Sequence, residues 1–437
     1  MARHTSSRRT RKGLVAVLAM LTVSGIALTG CSAAGTSDSA EPTKLNVWGW
    51  VPGLEDLVDE WNDNNPEIQV DFHRMTGDDG EKVKAAVDAG AGPDVVQLST
   101  HDLPEYVIAD RVQDISEYTG DVKERFTESS WASVSFGDAV YGIPQGIGPA
   151  GMMYREDIFT KYGIEVPTTW DEYLEAARAI RAADPNVYIA GFSPSEIGQW
   201  MQEVWQAEGS WFGINGDTWT VSVNSDENKL VAERWQQLLD EDLVAVTEMW
   251  TPEYWAQVNA GTLATISYAA WFPSLLAENA ADTSGLWRIA PLPTNAGSDF
   301  AGESGGAANV VLKGAENPEA AAKFASWINS ADETQDRLIS VGGLFPSTLT
   351  GLESSELTSE QEFYGGQVIN EVFIDAAKNT PNTWVDGPAF STASSGITDG
   401  FAKVAVGDKT FVQVLDEVQE ATIAALKDKG LNVKAGS

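Results

Sequence analysis

The sequence predicts an α/β protein with more than one hydrophobic core, and three observations support this fold class. Patterns typical of strands and helices alternate along the chain from residue 43 onward. The part that shows them spans about 395 residues, which is too long for a single core. No segment of this part is apolar for 18 residues, so we expect it to fold in water.

The first 60 residues of the folded part predict a parallel sheet. The segments "KLNVWGW" and "EIQVDFHRM" alternate as strands do, and "PDVVQLS" is a short apolar strand. The segments "GLEDLVDEWNDNN" and "DDGEKVKAAVDAGAG" lie between them and read as helices. Strands that alternate with helices form parallel sheets with right-handed crossovers.

Local signals predict several later elements. "SVSFGDAVYGI" and "GINGDTWTVSV" each predict a hairpin, because two short strand patterns flank a turn that contains glycine. Thr169 and Glu172 have the spacing of a capping box at the start of an amphipathic helix. Asn317 and Pro318 predict the cap and first position of another helix.

The N-terminus resembles a bacterial lipoprotein signal peptide. Five basic residues precede an apolar run of secretory length that ends in "LTGC", which resembles a lipobox. In such proteins the cysteine is lipidated and becomes the first residue of the mature chain. We therefore expect a signal peptide over residues 1–30, lipidation of Cys31, and a flexible tether over residues 31–42. A cysteine that merely follows a cleaved signal is the alternative.

Charge and composition exclude several classes of partner. The formal net charge is −36, and removal of the five basic residues of the signal peptide takes it to −41. A chain this acidic repels nucleic acid and anionic headgroups, so we expect neither as a partner. The sequence contains 16 tryptophans, and we expect some of them to line a wet cleft, because indole N–H groups need partners. No residue set indicates a metal site or a cofactor.

The segment "GESGG", residues 302–306, fits the G-x-S-x-G pattern of serine hydrolases. An α/β-hydrolase needs a histidine after the serine, and none follows Ser304. The trypsin-like order would accept His73 or His101, but that fold is all-β. We therefore interpret the segment as a glycine-rich turn in which Glu303 or Ser304 faces a cleft.

Several stretches together resemble the extracytoplasmic solute-binding proteins of ABC importers, in particular their sugar-binding branch. They are "GPDVVQLSTHDLPEY", "YGIPQGIGPAGMMYREDIFTKYGIEVPTTWDEYLEAARAI", "NAGTLATISYAAW", "IAPLPTNAG" and "NPEAAAKFASWINSADETQDRL". The chain departs from the family pattern at Arg155, Glu156, Thr265 and Ala269. The resemblance extends over about residues 43–430.

The resemblance implies a two-lobe, periplasmic-binding-protein-like α/β fold with a ligand cleft between the lobes and three crossover segments. It places the first lobe at residues 43–146 and 301–345, and the second at residues 147–300 and 346–437. It also implies a monomer without catalytic activity or cofactor. Its partners would be a carbohydrate and the permease subunits of an ABC transporter, with only the lipid anchor in the membrane.

Neutral sugars are held by aromatic rings, which stack on C–H faces, and by carboxylates or amides, which bind hydroxyls. Such residues are expected in loops beyond strand ends and at the crossovers. The family's positions and this chemistry together predict these ligand contacts: Trp50, His101, Asp102, Gln145, Glu196, Trp200, Trp271, Glu303, Ser304, Trp384 and Asp386. Trp205, Trp211, Trp219, Trp235 and Trp327 are expected to fill cores instead.

Two other functions stay open at this point. The same fold could bind a polyol, a peptide or an organic anion, although an anion site should carry arginine or lysine in its loops. A glycoside hydrolase would also combine tryptophan with paired carboxylates.

Overall fold

The computed structural model of the chain describes residues 41–76 and 79–436. The predicted signal peptide, the lipidation site Cys31 and most of the predicted tether lie outside these residues. From Pro42 onward the chain forms one compact unit. Within the described ranges, every helix is too short or too polar to span a bilayer.

The unit consists of alternating strands and helices, as the sequence predicts. The strands are β1 (Thr43–Gly49), β2 (Ile68–Arg74), β3 (Val95–Ser99), β4 (Ser135–Phe136), β5 (Ala139–Val140), β6 (Ile143–Arg155), β7 (Ala190–Phe192), β8 (Phe212–Asn215), β9 (Thr218–Val221), β10 (Val244–Val246), β11 (Thr265–Ala269), β12 (Trp287–Pro291), β13 (Glu303–Val311), β14 (Phe345–Pro346) and β15 (Asn432–Ala435). The helices are α1 (Leu54–Asn64), α2 (Asp79–Asp88), α3 (Leu103–Ile108), α4 (Ser116–Thr119), α5 (Glu128–Ala132), α6 (Glu156–Tyr162), α7 (Trp170–Ala183), α8 (Gly198–Gln206), α9 (Asp226–Asp240), α10 (Pro252–Ala260), α11 (Phe272–Asn279), α12 (Pro318–Ser330), α13 (Asp332–Ser340), α14 (Asn370–Lys378), α15 (Phe390–Ala405) and α16 (Phe411–Asp428).

The largest sheet has the strand order β11-β6-β13-β3-β1-β2, with β12 and β14 also paired to β6. Strand β1 pairs in parallel with both β2 and β3, which confirms the predicted parallel sheet. Strand β13 returns antiparallel to β3.

Strand β6 links two parts of this sheet because it is 13 residues long and changes partners along its length. Its first half pairs with β13 and β14. Its second half, from about Ala150 onward, pairs with β11 and β12. A single continuous strand therefore carries the chain from one lobe to the other.

The buried side chains form three clusters. One cluster fills the space between β1–β3, α1 and α12, where Trp61 meets Phe324 edge to face at 5.3 Å. A second lies among α7, α8, α9, α15 and α16, and includes Trp200 and Phe401. The third contains Phe272 and surrounds α10, α11 and α14. The predicted residue limits of the lobes stay predictions.

Several local predictions are confirmed. Strands β4 and β5 form one predicted hairpin, and β8 and β9 form the other. Thr169 caps α7 in a capping box with Glu172. Asn317 precedes α12, with Pro318 at its first position, but the Asn317 side chain makes no capping hydrogen bond.

The "GESGG" segment is not the turn that the sequence predicts. Glu303 begins β13, and the register with β6 shifts between Glu303 and Gly306. Three steps along β13 match two along β6, and the one extra residue forms a β-bulge, which bends a strand and redirects its side chains. Gly305 has φ of 88°, which a residue with a side chain adopts only under strain.

Candidate functional site

A cavity of about 270 Å³ lies between elements that the sequence predicts to belong to different lobes. The loop after β3 contributes His101, and the start of β13 contributes Glu303. The opposite wall comes from α8 and the segment before α15, which contribute Trp205, Trp384 and Asp386. Polar and aromatic side chains from distant parts of the sequence therefore face one space.

Four of these residues are close together and are called the histidine cluster here: His101, Glu303, Trp384 and Asp386. The Asp386 Oδ1 atom lies 2.6 Å from His101 Nδ1 and accepts a hydrogen bond from Trp384 Nε1 at 2.8 Å. The His101 ring stacks on Phe390 with 5.2 Å between centroids. Asp386 therefore holds two rings of the cavity wall in fixed orientations.

Two stacked indoles form the aromatic wall of the cavity. The rings of Trp205 and Trp384 are 5.4 Å apart with an interplanar angle of 19°. The Trp205 N–H donates to the carbonyl of Pro381 at 2.6 Å. Because its polar edge is satisfied by the protein, the apolar faces remain for packing against a ligand or a neighbouring ring.

Burial changes the protonation of the carboxylates beside the cavity. It raises the pKa of Glu303 to about 7, although the Gly148 N–H and the charge of His101 oppose this shift. Burial likewise raises the pKa of Asp102. Burial lowers the pKa of His101, but the charge and hydrogen bond of Asp386 outweigh it, and the net shift is upward.

A second group of polar and aromatic residues is called the tryptophan cluster here: Glu196, Trp250, Tyr268, Trp271 and Ser304. Glu196 accepts the Trp250 indole N–H at 2.7 Å, and Ser304 accepts that of Trp271 through its backbone carbonyl at 3.1 Å. The two indoles are stacked at 6.2 Å and 23°. The Tyr268 hydroxyl lies beside Glu196 and Ser304.

Trp250 has two unusual properties in this cluster. Its side chain is 45% exposed, and its backbone φ is +67°. A positive φ is uncommon for a bulky residue and persists only when the surroundings enforce it. The hydrogen bond to Glu196 and the stacking on Trp271 supply this constraint.

The first residues of β13 separate the two clusters. Glu303 lines the cavity, whereas the buried Ser304 lies in the tryptophan cluster, because successive strand residues point to opposite sides. A Cβ at Gly305 would lie 3.1 Å from the Trp271 Nε1 atom. Glycine at this position therefore permits the indole to approach the strand.

The model of the bacterial extracellular solute-binding protein family matches residues 49–335, more than half of the chain. The chain belongs to this family.

Two solved structures and one further relative show what this solute-binding protein is similar to. The galacto-N-biose-/lacto-N-biose I-binding protein of the ABC transporter from Bifidobacterium longum, in complex with lacto-N-biose, is 30% identical with a TM-score of 0.82, over 91% of this chain and 100% of that chain. The ABC transporter associated binding protein from B. animalis subsp. lactis, in complex with β-1,6-galactobiose, is 27% identical with a TM-score of 0.81, over 90% of this chain and 100% of that one. The arabinooligosaccharide-binding protein of Bacillus subtilis is 22% identical over 386 residues, which are 84% of this chain and 88% of the relative.

These similarities confirm the two-lobe fold and the family that the sequence predicts. The solute-binding protein is a member of the sugar-binding branch, whose relatives are binding proteins of ABC transporters. The family name also places it outside the cytoplasm.

The structure separates the eleven predicted ligand contacts of this solute-binding protein into three groups. Four are in the histidine cluster: His101, Glu303, Trp384 and Asp386. Three are in the tryptophan cluster: Glu196, Trp271 and Ser304. Four lie outside both clusters: Trp50, Asp102, Gln145 and Trp200.

Two of the residues outside the clusters are interior residues rather than cavity residues. Trp200 is 3% exposed and stacks on Phe411 in a core, since the inner face of α8 carries it. Gln145 is buried in a polar network, where its side chain accepts from Gln97 and donates to Asn329. Both side chains are already used by the fold.

Of the other two, Trp50 is exposed and Asp102 is half-buried. Trp50 follows β1, is 40% exposed, and donates its backbone N–H to Gln97 at 2.7 Å. Asp102 occupies the N-cap position of α3 without a capping hydrogen bond from its side chain. Neither is among the residues that line the cavity.

Sequence reasoning missed two residues. Trp205 was expected in a core, yet it lines the cavity. Trp250 was not singled out, and no sequence pattern marks its positive φ. Among the described residues, no group of three or more His, Cys, Asp or Glu side chains could hold a metal ion.

Proposed function

We propose that this solute-binding protein captures a neutral disaccharide or short oligosaccharide in the cavity beside the histidine cluster. It then delivers the sugar to the permease subunits of an ABC importer. The observation that carries the proposal is the chemistry of the cavity. Stacked indoles stand beside Glu303 and Asp386, and the described residues that line the cavity include no lysine or arginine. Carboxylates accept sugar hydroxyls, whereas an anionic ligand would lack a countercharge.

The size of the cavity and the ligands of the relatives support a small sugar. A cavity of about 270 Å³ is at the lower end of ligand sites. The two solved relatives hold lacto-N-biose and β-1,6-galactobiose. Galactose-containing disaccharides are therefore the first candidates, followed by arabinooligosaccharides.

Thermal unfolding of the chain from Pro42 onward tests the proposal. The panel contains β-1,6-galactobiose, lacto-N-biose, arabinooligosaccharides, maltose, polyols, amino acids and phosphate. A ligand at a hundredfold its Kd stabilises the folded protein by about 2.7 kcal/mol. We expect stabilisation by one sugar series. A shift with only phosphate or amino acids would contradict the neutral-sugar proposal.

A glycoside hydrolase is the second candidate because Glu303, whose pKa is raised to about 7, shares the cavity with Asp386. Such enzymes pair a protonated acid with an ionised carboxylate. However, one oxygen of Asp386 is already engaged by His101 and Trp384. We propose that the protein has no catalytic activity. Incubation of the bound sugar with the protein should release no smaller sugar, as chromatography would measure.

We also propose that Cys31 carries a lipid that holds the protein at the outer face of the cell membrane. The "LTGC" motif and the polar residues after it support this proposal. In a host that expresses the full chain, a fatty-acid label should enter the protein. Cys31→Ser should remove the label and release the protein into the soluble fraction. Retention of the label in that variant would contradict the proposal.

A further inference from the structure

His101 reaches from one lobe into the other. It follows β3. Leu98 of β3 and Leu103 of α3, on either side of it in sequence, belong to the core that contains Trp61. Its ring stacks on Phe390, which belongs to the core of the second lobe, and its Nδ1 atom bonds to Asp386 at 2.6 Å. The pair therefore exists only when the lobes are close together.

Asp386 fixes the orientation of the imidazole in this pair. Nδ1–H donates to the carboxylate both in the charged imidazolium and in the neutral ring that carries its proton on Nδ1. The same Asp386 oxygen accepts the Trp384 indole N–H at 2.8 Å. The carboxylate thus connects the histidine to the aromatic wall.

The other ring nitrogen of His101 has no partner. The side chain is 7% exposed, and its Nε2 atom is buried without a hydrogen bond from the described residues. A buried polar atom without a partner destabilises the state that contains it. His101 itself lines the cavity, where a ligand hydroxyl would lie.

A second contact joins the lobes outside the cavity. Glu105 of α3 accepts hydrogen bonds from the backbone N–H and the hydroxyl of Ser391 of α15, at 2.9 and 2.8 Å. Neither residue lines the cavity. This contact provides a matched comparison for a contact that joins the lobes but faces no ligand.

We propose that Asp386 is a positioning residue that couples sugar recognition to lobe closure through His101. Closure forms the His101–Asp386 pair and buries Nε2, and a sugar hydroxyl then completes the hydrogen bonding of that atom. The ligand consequently binds the closed state better than the open state, as any ligand that drives closure must. This inference rests on the proposed function of the cavity.

Three variants of the chain from Pro42 onward test the inference by titration calorimetry with the sugar identified above. Asp386→Ala should weaken binding about 10- to 100-fold, the range of a lost charge-assisted hydrogen bond. Asp386→Asn keeps an acceptor oxygen and should recover part of the affinity. Ser391→Ala should change the affinity less than threefold.

Nitrogen-15 NMR of labelled histidine provides a second measurement. If Asp386 had only a structural role, its substitution would not change the response of the His101 Nε2 resonance to sugar. From Pro42 onward the chain contains only His73 and His101, so His73→Gln assigns both. In the wild-type protein, sugar should shift the Nε2 resonance of His101. In Asp386→Ala, the tautomers should mix and this response should shrink.

Two results would overturn the inference. In one, Asp386→Ala binds as well as the wild-type protein. In the other, Ser391→Ala weakens binding as much as Asp386→Ala, which would make the pair an ordinary contact between lobes. Failure of the proposed function is distinguishable, because the wild-type protein itself would then bind no sugar.

Discussion

The histidine cluster and the tryptophan cluster use similar side chains but are assembled differently. The histidine cluster takes His101 from one lobe and Trp384 and Asp386 from the other. The tryptophan cluster takes Glu196, Trp250, Tyr268 and Trp271 from the lobe segment predicted over residues 147–300 and adds only Ser304 of β13. The first cluster therefore depends on closure, whereas the second depends on it only through Ser304.

The difference has an energetic consequence. Groups that one lobe holds in place are preorganised, so a ligand does not have to order them. Groups that two lobes bring together report whether the lobes are closed, and a ligand that completes them shifts the equilibrium. The two clusters should therefore respond differently to matched substitutions.

The largest effect is expected at the aromatic wall of the histidine cluster. Trp384→Ala removes the half-buried ring that stacks on Trp205, and truncation of a tryptophan that anchors a binding site costs about 2 kcal/mol or more. Sugar affinity should fall about 30-fold or more by calorimetry. Trp384→Phe keeps a ring and is the control, with a smaller loss. If Trp250→Ala lost as much sugar affinity or more, the tryptophan cluster would be the principal binding site instead of the histidine cluster.

A second effect concerns pH and Glu303. Burial raises the pKa of this carboxyl from 4.5 to about 7, so between these values the folded protein binds more protons than the unfolded chain. The free energy of unfolding should therefore fall as pH rises from 4.5 to 7, by at most about 3 kcal/mol. Urea unfolding at several pH values measures this contribution.

The variant Glu303→Gln isolates the carboxyl from all other titrating groups. It should lack the part of the pH dependence that Glu303 supplies, and should be flatter than the wild-type protein across this window. Ser304→Ala, at the neighbouring position in the tryptophan cluster, is the control. If both variants keep the wild-type slope, Glu303 does not titrate as proposed.

Much of the fold was predictable because its signals are local. The capping box of Thr169 and Glu172 and the hairpin turns depend on residues close in sequence, and the structure confirms them. Alternation of strands and helices likewise predicts the parallel pairing of β1 with β2. The bulge in β13 was not predictable, because its register is set by β6, which is distant in sequence.

The site was less predictable, and the two tryptophans of α8 show why. Trp200 was predicted to bind ligand and Trp205 to fill a core, but Trp200 packs in a core and Trp205 lines the cavity. Five residues separate them, which is about 140° around a helix, so they point to different sides. Which side faces the cavity depends on how α8 packs, and that information is not local.

The smallest effect tests whether the tryptophan cluster is held by its own lobe. Trp250 has φ of +67°, a conformation that costs about 1–2 kcal/mol for residues with a Cβ but little for glycine. Trp250→Gly should therefore be more stable than Trp250→Ala by about 1 kcal/mol in urea unfolding. Both lose the stacking on Trp271, so the difference reports the backbone alone.

Trp255 provides the matched control because it lies within α10 and also stacks on an aromatic ring, that of Phe272. In a helix interior the order should reverse, and Trp255→Ala should exceed Trp255→Gly by about 1 kcal/mol. Opposite orders at the two positions would assign the effect at Trp250 to its backbone. The same order at both would mean that the positive φ is not maintained. The lobe would then not hold Trp250 in place before a ligand arrives, and the contrast between the two clusters would weaken.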